Sequence, residues 1–225
     1  MTICKQNNMR YERKFRLDAE SLHSFYFWLK KSGTRYGFKR AYEDRSINNL
    51  YFESKNFTAF DDNVEGYSDR SKLRIRWYGK SSNVNKPKLE IKTKKNAQGY
   101  KTYCAIKPFD INNIPKIEKL LSNEDKDIRY HLYQYPVPAV INSYDRQYYS
   151  NSQGVRITID TNIRYRKPNK FNNFLFRGSY AILEIKYESN DYNIASHILS
   201  NIPSALEKNS KYVVGFSSMY HKMIV

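Results

Sequence analysis

Lys72-Leu73-Arg74-Ile75-Arg76-Trp77 alternates a cation with an apolar residue at every step. A β-strand turns successive side chains to opposite faces, so this stretch sets Lys72, Arg74 and Arg76 on one side and Leu73, Ile75 and Trp77 on the other. The same period of two recurs along the chain. Arg10-Tyr11-Glu12-Arg13-Lys14-Phe15 puts Arg10, Glu12 and Lys14 together, and Leu89-Glu90-Ile91-Lys92-Thr93-Lys94 puts Glu90, Lys92 and Lys94 together. Val155-Arg156-Ile157-Thr158-Ile159-Asp160 sets out Arg156, Thr158 and Asp160, and Ala181-Ile182-Leu183-Glu184-Ile185-Lys186 sets out Glu184 and Lys186. Val140 to Tyr148 repeats the pattern more weakly, with Tyr144 and Arg146 on one face.

One such strand implies a sheet with its polar face in water. Five imply more, because Arg and Lys dominate these faces and three of them carry Glu-x-Lys, at Glu12, Glu90 and Glu184. The arrangement that uses such faces is an α+β fold. Its closed or nearly closed antiparallel barrel turns the ionic faces inward, and helices pack on the apolar outside. Helices are expected over Ala19 to Lys31, with Asp18 as N-cap and Gly33 as stop, near Asp110 to Ser122, and near Tyr192 to Asn201.

Composition agrees with this reading. The chain has 225 residues, 39 Lys plus Arg against 22 Asp plus Glu, and a formal charge of +17, which calls for a polyanionic partner. Its 21 Tyr and 12 Phe exclude a disordered basic tail. With 8 Gly, 7 Pro and no linker-like stretch, residues 1–225 read as a single domain. Two distant cysteines, Cys4 and Cys104, exclude a disulfide scaffold and suit a reducing, cytoplasmic setting. Neither a signal peptide nor a membrane segment is legible, so any membrane partner is expected to be a separate chain.

Crowded cations repel by roughly 4 kcal/mol for a pair about 4 Å apart at an effective dielectric near 20. An interior lined with them therefore calls for anions, and a chain of phosphates suits it because each oxygen accepts charge-assisted bonds from Arg and Lys. The carboxylates among the cations either pair with them or hold Mg²⁺ or Mn²⁺ bridging phosphate oxygens. Glu184 is the favoured metal ligand. The four histidines are scattered without metal-ligand spacing, and no P-loop or Ser-His-Asp order is present.

The ordered set formed by Arg10 to Phe15, Asn49-Leu50-Tyr51-Phe52, Lys72 to Gly79, Leu89 to Lys92, Tyr144-Asp145-Arg146, Val155 to Thr161, Leu183 to Tyr187 and Ser210-Lys211-Tyr212 resembles the polyphosphate polymerase domain of the vacuolar transporter chaperone family. That family belongs to the triphosphate tunnel metalloenzymes. The resemblance implies an eight-stranded antiparallel tunnel and transfer of the γ-phosphate of ATP, or another nucleoside triphosphate, to a growing inorganic polyphosphate chain. It further implies that Lys14, Arg74, Arg76, Lys92, Arg146 and Arg156 grip the reacting phosphates. Arg10, Lys72, Lys94, Lys101, Lys186 and Lys211 bind substrate in the same reading, and Glu184 with Glu12 holds Mn²⁺ or Mg²⁺. For the strand after Glu90, either Lys101 or Lys107 fits the family's lysine.

Hydrolytic members of the superfamily carry Glu-x-Glu-x-Lys on the first strand, where this chain has Arg10 in place of the first Glu. Losing that carboxylate weakens a second metal site able to activate water and disfavours hydrolysis. The alternatives are a tri- or polyphosphate hydrolase of the same fold, with Glu12, Asp160 and Glu184 around a metal, and a non-catalytic polyanion-binding domain. A nucleic-acid binder fits the charge, but its motifs are missing, so no nucleic acid partner is expected.

Overall fold

The computed structural model describes residues 6–7, 11–96, 98–115, 119, 126–168, 175–202 and 210–222. Among them, ten strands form one antiparallel sheet: β1 (Gln6–Asn7), β2 (Tyr11–Leu17), β3 (Lys39–Glu53), β4 (Asp69–Tyr78), β5 (Lys88–Lys95), β6 (Gln98–Ala105), β7 (Val137–Ser150), β8 (Arg156–Arg166), β9 (Leu175–Arg177) and β10 (Ala181–Tyr187). Eight of these are long, and β1 and β9 are short additions of 2 and 3 residues. The order is β1-β6-β5-β4-β3-β7-β8-β10-β2, with β9 beside β8, and no ladder joins the outermost pair, β1 and β2, among the described residues.

The sheet must nevertheless curl. Nine strands laid flat at about 4.8 Å would hold their outer members nearly 40 Å apart. Asn7 and Tyr11 belong to those two outer strands and are four residues apart in the chain, a reach of at most about 14 Å. Electrostatic contacts across the concave side agree: Lys92 on β5 acts on Glu12 of β2, and Lys14 of β2 acts on Lys72 of β4.

Five helices accompany the sheet among the described residues: α1 (Ala19–Trp28), α2 (Thr58–Glu65), α3 (Lys126–Gln134), α4 (Tyr192–Ser200) and α5 (Lys211–Tyr220). Asp18 caps α1 as expected, its side chain accepting from Ser21 N at 2.8 Å, but the α-helix stops at Trp28 and a wider π-type turn carries the chain to Gly33. α4 matches the expected helix at Tyr192, whereas in the helix expected over Asp110 to Ser122 residues 110–115 form turn and loop instead, and 116–118 and 120–122 lie outside the described residues.

The apolar strand faces lie outward, as the alternation requires. Leu73, Ile75 and Trp77 are at most 1% exposed, in a cluster that includes Phe60 of α2 and Ile128 and Leu132 of α3. Each such side chain contributes about 1.5–3 kcal/mol relative to leaving it in water. On the other flank, Phe15, Ile157, Ile159, Leu183 and Ile185 pack with Phe25 of α1 and Ala195 and Ile198 of α4.

α5 takes a different position. It lies against the concave side, where Tyr51, Val140 and Tyr165 share a face, with the Tyr212 and Tyr51 rings 5.2 Å apart. The approach is close at Gly215, where a Cβ would stand 2.4 Å from the Tyr165 ring, so only glycine fits without displacing it.

Candidate functional site: an ionic concave face

Strand register brings the sequence-predicted side chains onto one face. Directly paired residues point the same way. Lys72 pairs with Lys92, Arg74 with Glu90 and Tyr51, Arg76 with Asn49, Glu184 with Lys14 and Thr158, Lys186 with Glu12 and Arg156, and Arg146 with Asp160. Lys94 continues the β5 row beside Arg70. Arg10 lies outside the described residues.

The cations fall into two groups. In the first, wall carboxylates hold them. Glu90, 4% exposed, accepts from Arg74 Nε and Nη2 at 2.8 and 2.6 Å and from Lys101 Nζ at 2.8 Å, with Arg76 at 4.0 Å. Burial alone would raise the Glu90 carboxyl, but Arg74, Arg76 and Lys101 outweigh it and hold it far below the usual carboxylate range. Asp160, fully buried, accepts from Arg146 Nε at 2.5 Å and Nη2 at 2.7 Å and from Lys211 Nζ at 2.5 Å. Its carboxyl is also lowered, with Lys211 and Arg146 overcoming the opposing effect of burial. Of the two lysines open to the sequence reading, Lys101 is the one beside Glu90, while Lys107 follows the end of β6 and is exposed.

The second group has no such anchor. Lys72 Nζ is held by the Ser210 hydroxyl at 3.0 Å and sits 5.6 Å from the centre of the Tyr212 ring. Burial, followed by Lys92, Lys14, Arg70 and Arg74, drives its ammonium well below the ordinary lysine value. Lys92 is lowered as well, first by burial and then by Lys14 and Lys186 against the pull of Glu12 and Glu184. Arg156 is exposed at the opposite end of β8 from α5. The face also carries two buried polar atoms without a hydrogen-bond partner among the described residues, Asn142 Nδ2 and Thr158 Oγ1. Asn142 ends a chain that runs from Arg76 Nε through Asn49 at 2.8 and 2.7 Å.

Glu12 and Glu184 form a third arrangement. Lys14 Nζ lies 2.5 Å from Glu12 and 3.9 Å from Glu184, and Lys186 Nζ lies 2.7 Å from Glu184 and 3.4 Å from Glu12. The two carboxylates repel each other, and Lys186, Lys14 and Arg146 outweigh burial in keeping Glu184 far below the usual range. Among the described residues no three His, Cys, Asp or Glu side chains gather as a metal cage. Asp160 is committed to Arg146 and Lys211, so the grouping of Glu12, Asp160 and Glu184 that the hydrolytic reading needs is not formed. Two carboxylates do fit a hard cation that takes its remaining oxygens from phosphates and water, the usual mode for Mg²⁺.

Sequence reasoning gave no role to Tyr51, whose hydroxyl accepts from Arg74 Nη1 at 3.2 Å, or to Asn49, Asn142 and Ser210, and placed Tyr144 beside Arg146 without one. Tyr144 is fully enclosed, and Arg146, Arg76 and Lys211 lower its phenol against burial. A polar residue at an inward position of an otherwise apolar strand was the available signal for Asn49 and Asn142. Ser210 was legible as an N-cap, since its side chain accepts from Val213 N.

The VTC domain model matches residues 9–220. Among solved structures, the chain is similar to HpAC1 of Hippeastrum, a proposed adenylyl cyclase with a dominant triphosphatase activity, at 16% identity and a TM-score of 0.56, covering 94% of this chain and 97% of that one. A proposed adenylate cyclase from Vibrio parahaemolyticus matches at 11% identity and a TM-score of 0.47, over 93% of this chain and 99% of that one. Comparison with curated proteins gave no match. Among the described residues no helix is long and apolar enough to cross a membrane.

Proposed function

Because the chain belongs to the VTC-domain family, we propose that its sheet closes as an eight-stranded tunnel and that it is a metal-dependent phosphotransferase, moving the γ-phosphate of ATP or another nucleoside triphosphate onto inorganic polyphosphate. The observation that carries this reading is the second group of cations. Half-buried Lys72 and more open Lys92 are paired in register and repel each other on a face with orphaned polar atoms, an arrangement that a polyphosphate anion completes.

The chemistry asks little of the protein beyond position and charge. A terminal oxygen of the acceptor chain forms a bond to the γ-phosphorus as the bond from that phosphorus to the β-phosphate bridging oxygen breaks. The nucleophile is a phosphate oxygen that is already anionic, and the bridging oxygen departs as a phosphate anion that is stable without a proton, so no proton has to be removed or supplied. Lys72 and Lys92 grip the chain, and Arg74, Arg76 and Arg146, oriented by Glu90, Asn49 and Asp160, present their remaining N–H groups to it. Glu12 and Glu184 would hold Mg²⁺ or Mn²⁺, which would supply charge neutralisation to the phosphates.

Hydrolysis differs in requiring a base for water. The commitment of Asp160 to Arg146 and Lys211 removes the third carboxylate from that role. Phosphorus NMR of protein incubated with ATP and Mn²⁺ tests the assignment: chain-internal polyphosphate resonances are expected, and free phosphate without them overturns it.

A further inference from the structure

At the end of the concave face away from α5, the lining changes from charged to aromatic. Tyr78 follows Arg76 by two residues on β4, Tyr148 follows Arg146 by two on β7, and Tyr42 on β3 pairs with Tyr148 in register. The three tyrosines surround one guanidinium, with Arg45 5.3 Å from the Tyr42 ring centre and 5.9 Å from those of Tyr78 and Tyr148. Tyr42 meets Tyr148 edge-on at 5.5 Å. Tyr42 and Tyr78 are nevertheless 60% and 44% exposed, an uncommon cost for aromatic surface on a strand. Arg45 itself pairs in register with Arg146, so the collar opens directly onto the phosphate-gripping row.

We propose that the Tyr42, Arg45, Tyr78 and Tyr148 collar is a base-stacking subsite that selects nucleoside triphosphates over inorganic ones, a specificity that rests on the phosphate-binding reading of the face behind it. A nucleoside triphosphate has two parts of opposite character, a polyanion and a flat π-surface. Behind the collar lie the cations that the polyanion needs. The collar supplies exposed phenol faces and a guanidinium plane, the two side-chain surfaces on which nucleobases stack. Stacking does not read base edges, so the subsite tolerates any base and favours a ligand that carries one over a ligand that has none. Arg45 serves twice, as part of the stacking platform and as the outermost cation on the path to Arg146.

The test compares two ligands on two proteins by equilibrium titration. Wild-type protein and Tyr42→Ala/Tyr78→Ala are titrated with ATP and with inorganic tripolyphosphate. Neither substitution alters charge, and both residues are exposed, so tripolyphosphate binding doubles as the check on folding. The expected result is about a tenfold or greater loss of ATP affinity in the variant, the scale of losing a stacked base, with tripolyphosphate affinity unchanged within about twofold. Equal losses for both ligands would make the collar a continuation of the phosphate path, and no loss for either would leave it without a ligand role; each result overturns the proposal. The readout is binding alone, so it stands whether ATP is turned into polymer or into free phosphate. The product identified by phosphorus NMR decides the phosphotransferase reading separately.

Discussion

Asp160 and Glu184 stand on adjacent strands and point to the same face, but their partners differ in kind. Asp160 is fully buried, and both its oxygens are taken by Arg146 and Lys211, neither of which is more than 15% exposed along its side chain. Glu184 is held by Lys186, whose side chain is 41% exposed, and at 3.9 Å by Lys14, which is shared with Glu12. The first is a wall tie that orients an arginine. The second is a loose quartet in which flexible ammonium groups can turn from carboxylate to phosphate and leave oxygen ligands free for a cation. Similar chemistry on one face thus divides into a rigid tie and a loose cluster, according to how many rigid donors reach each carboxylate.

Removing each carboxylate should separate the two roles. Asp160→Asn leaves Arg146 and Lys211 buried without a counter-charge, and urea denaturation is expected to show a loss of about 3–5 kcal/mol. Glu184→Gln leaves Glu12 to serve both lysines and should cost about 1 kcal/mol or less, while metal-dependent phosphoryl transfer falls about a hundredfold, the scale of one missing electrostatic stabiliser. Equal destabilisation by the two substitutions would abolish the distinction.

Glu53 supplies a third case, a buried carboxylate held by neutral donors. It accepts from the Tyr212 hydroxyl and from Ser54 N at 3.0 Å and Ala59 N at 3.2 Å, and burial pushes its carboxyl up to about 7 from 4.5. A carboxyl raised in the folded state binds more protons there than in the unfolded chain. Its contribution is therefore present at low pH and declines as pH rises from 4.5 to 7. Glu53→Gln should flatten a fall of about 3 kcal/mol over that interval, read as the pH dependence of urea denaturation. Glu90, Asp160 and Glu184 are lowered instead, so their contribution is lost only as pH drops below the ordinary carboxylate range.

Much of this face was legible in the sequence because it depends on parity. A period of two puts Lys72, Arg74 and Arg76 together whatever their neighbours are, and the same holds for Glu12 with Lys14 and Glu184 with Lys186. Pairing between strands was not legible. That Arg74 meets Glu90 depends on the register fixed by the connection from Tyr78 to Lys88, and that Asp160 meets Lys211 depends on the docking of α5 from 51 residues away. α5 itself was readable in hindsight from the Ser210 cap and the spacing of Tyr212, Val213, Phe216 and Met219, and α3 from Ile128, Leu132 and Tyr135. Both are short, and their helical spacing is set among many aromatics that also suit strands. β3 was visible only as the Asn49 to Phe52 segment, because its other half, Lys39 to Ser46, is mostly exposed and lacks an apolar face.

The most direct effect concerns the unanchored cations. Lysines whose folded value is lowered bind fewer protons in the native state, so the ligand-free protein should gain stability as pH rises toward the ordinary lysine value of 10.5. Thermal melting with and without tripolyphosphate at low salt, on wild-type protein and on Lys72→Met/Lys92→Met, brings repulsion and binding into one measurement. The wild type should melt higher with tripolyphosphate, by an amount equivalent to about 2.7 kcal/mol at a hundredfold excess over its dissociation constant. The variant should melt higher than wild type when ligand-free and respond little to tripolyphosphate. A wild type indifferent to tripolyphosphate, or a variant that melts lower and still binds, would contradict a face built for polyphosphate.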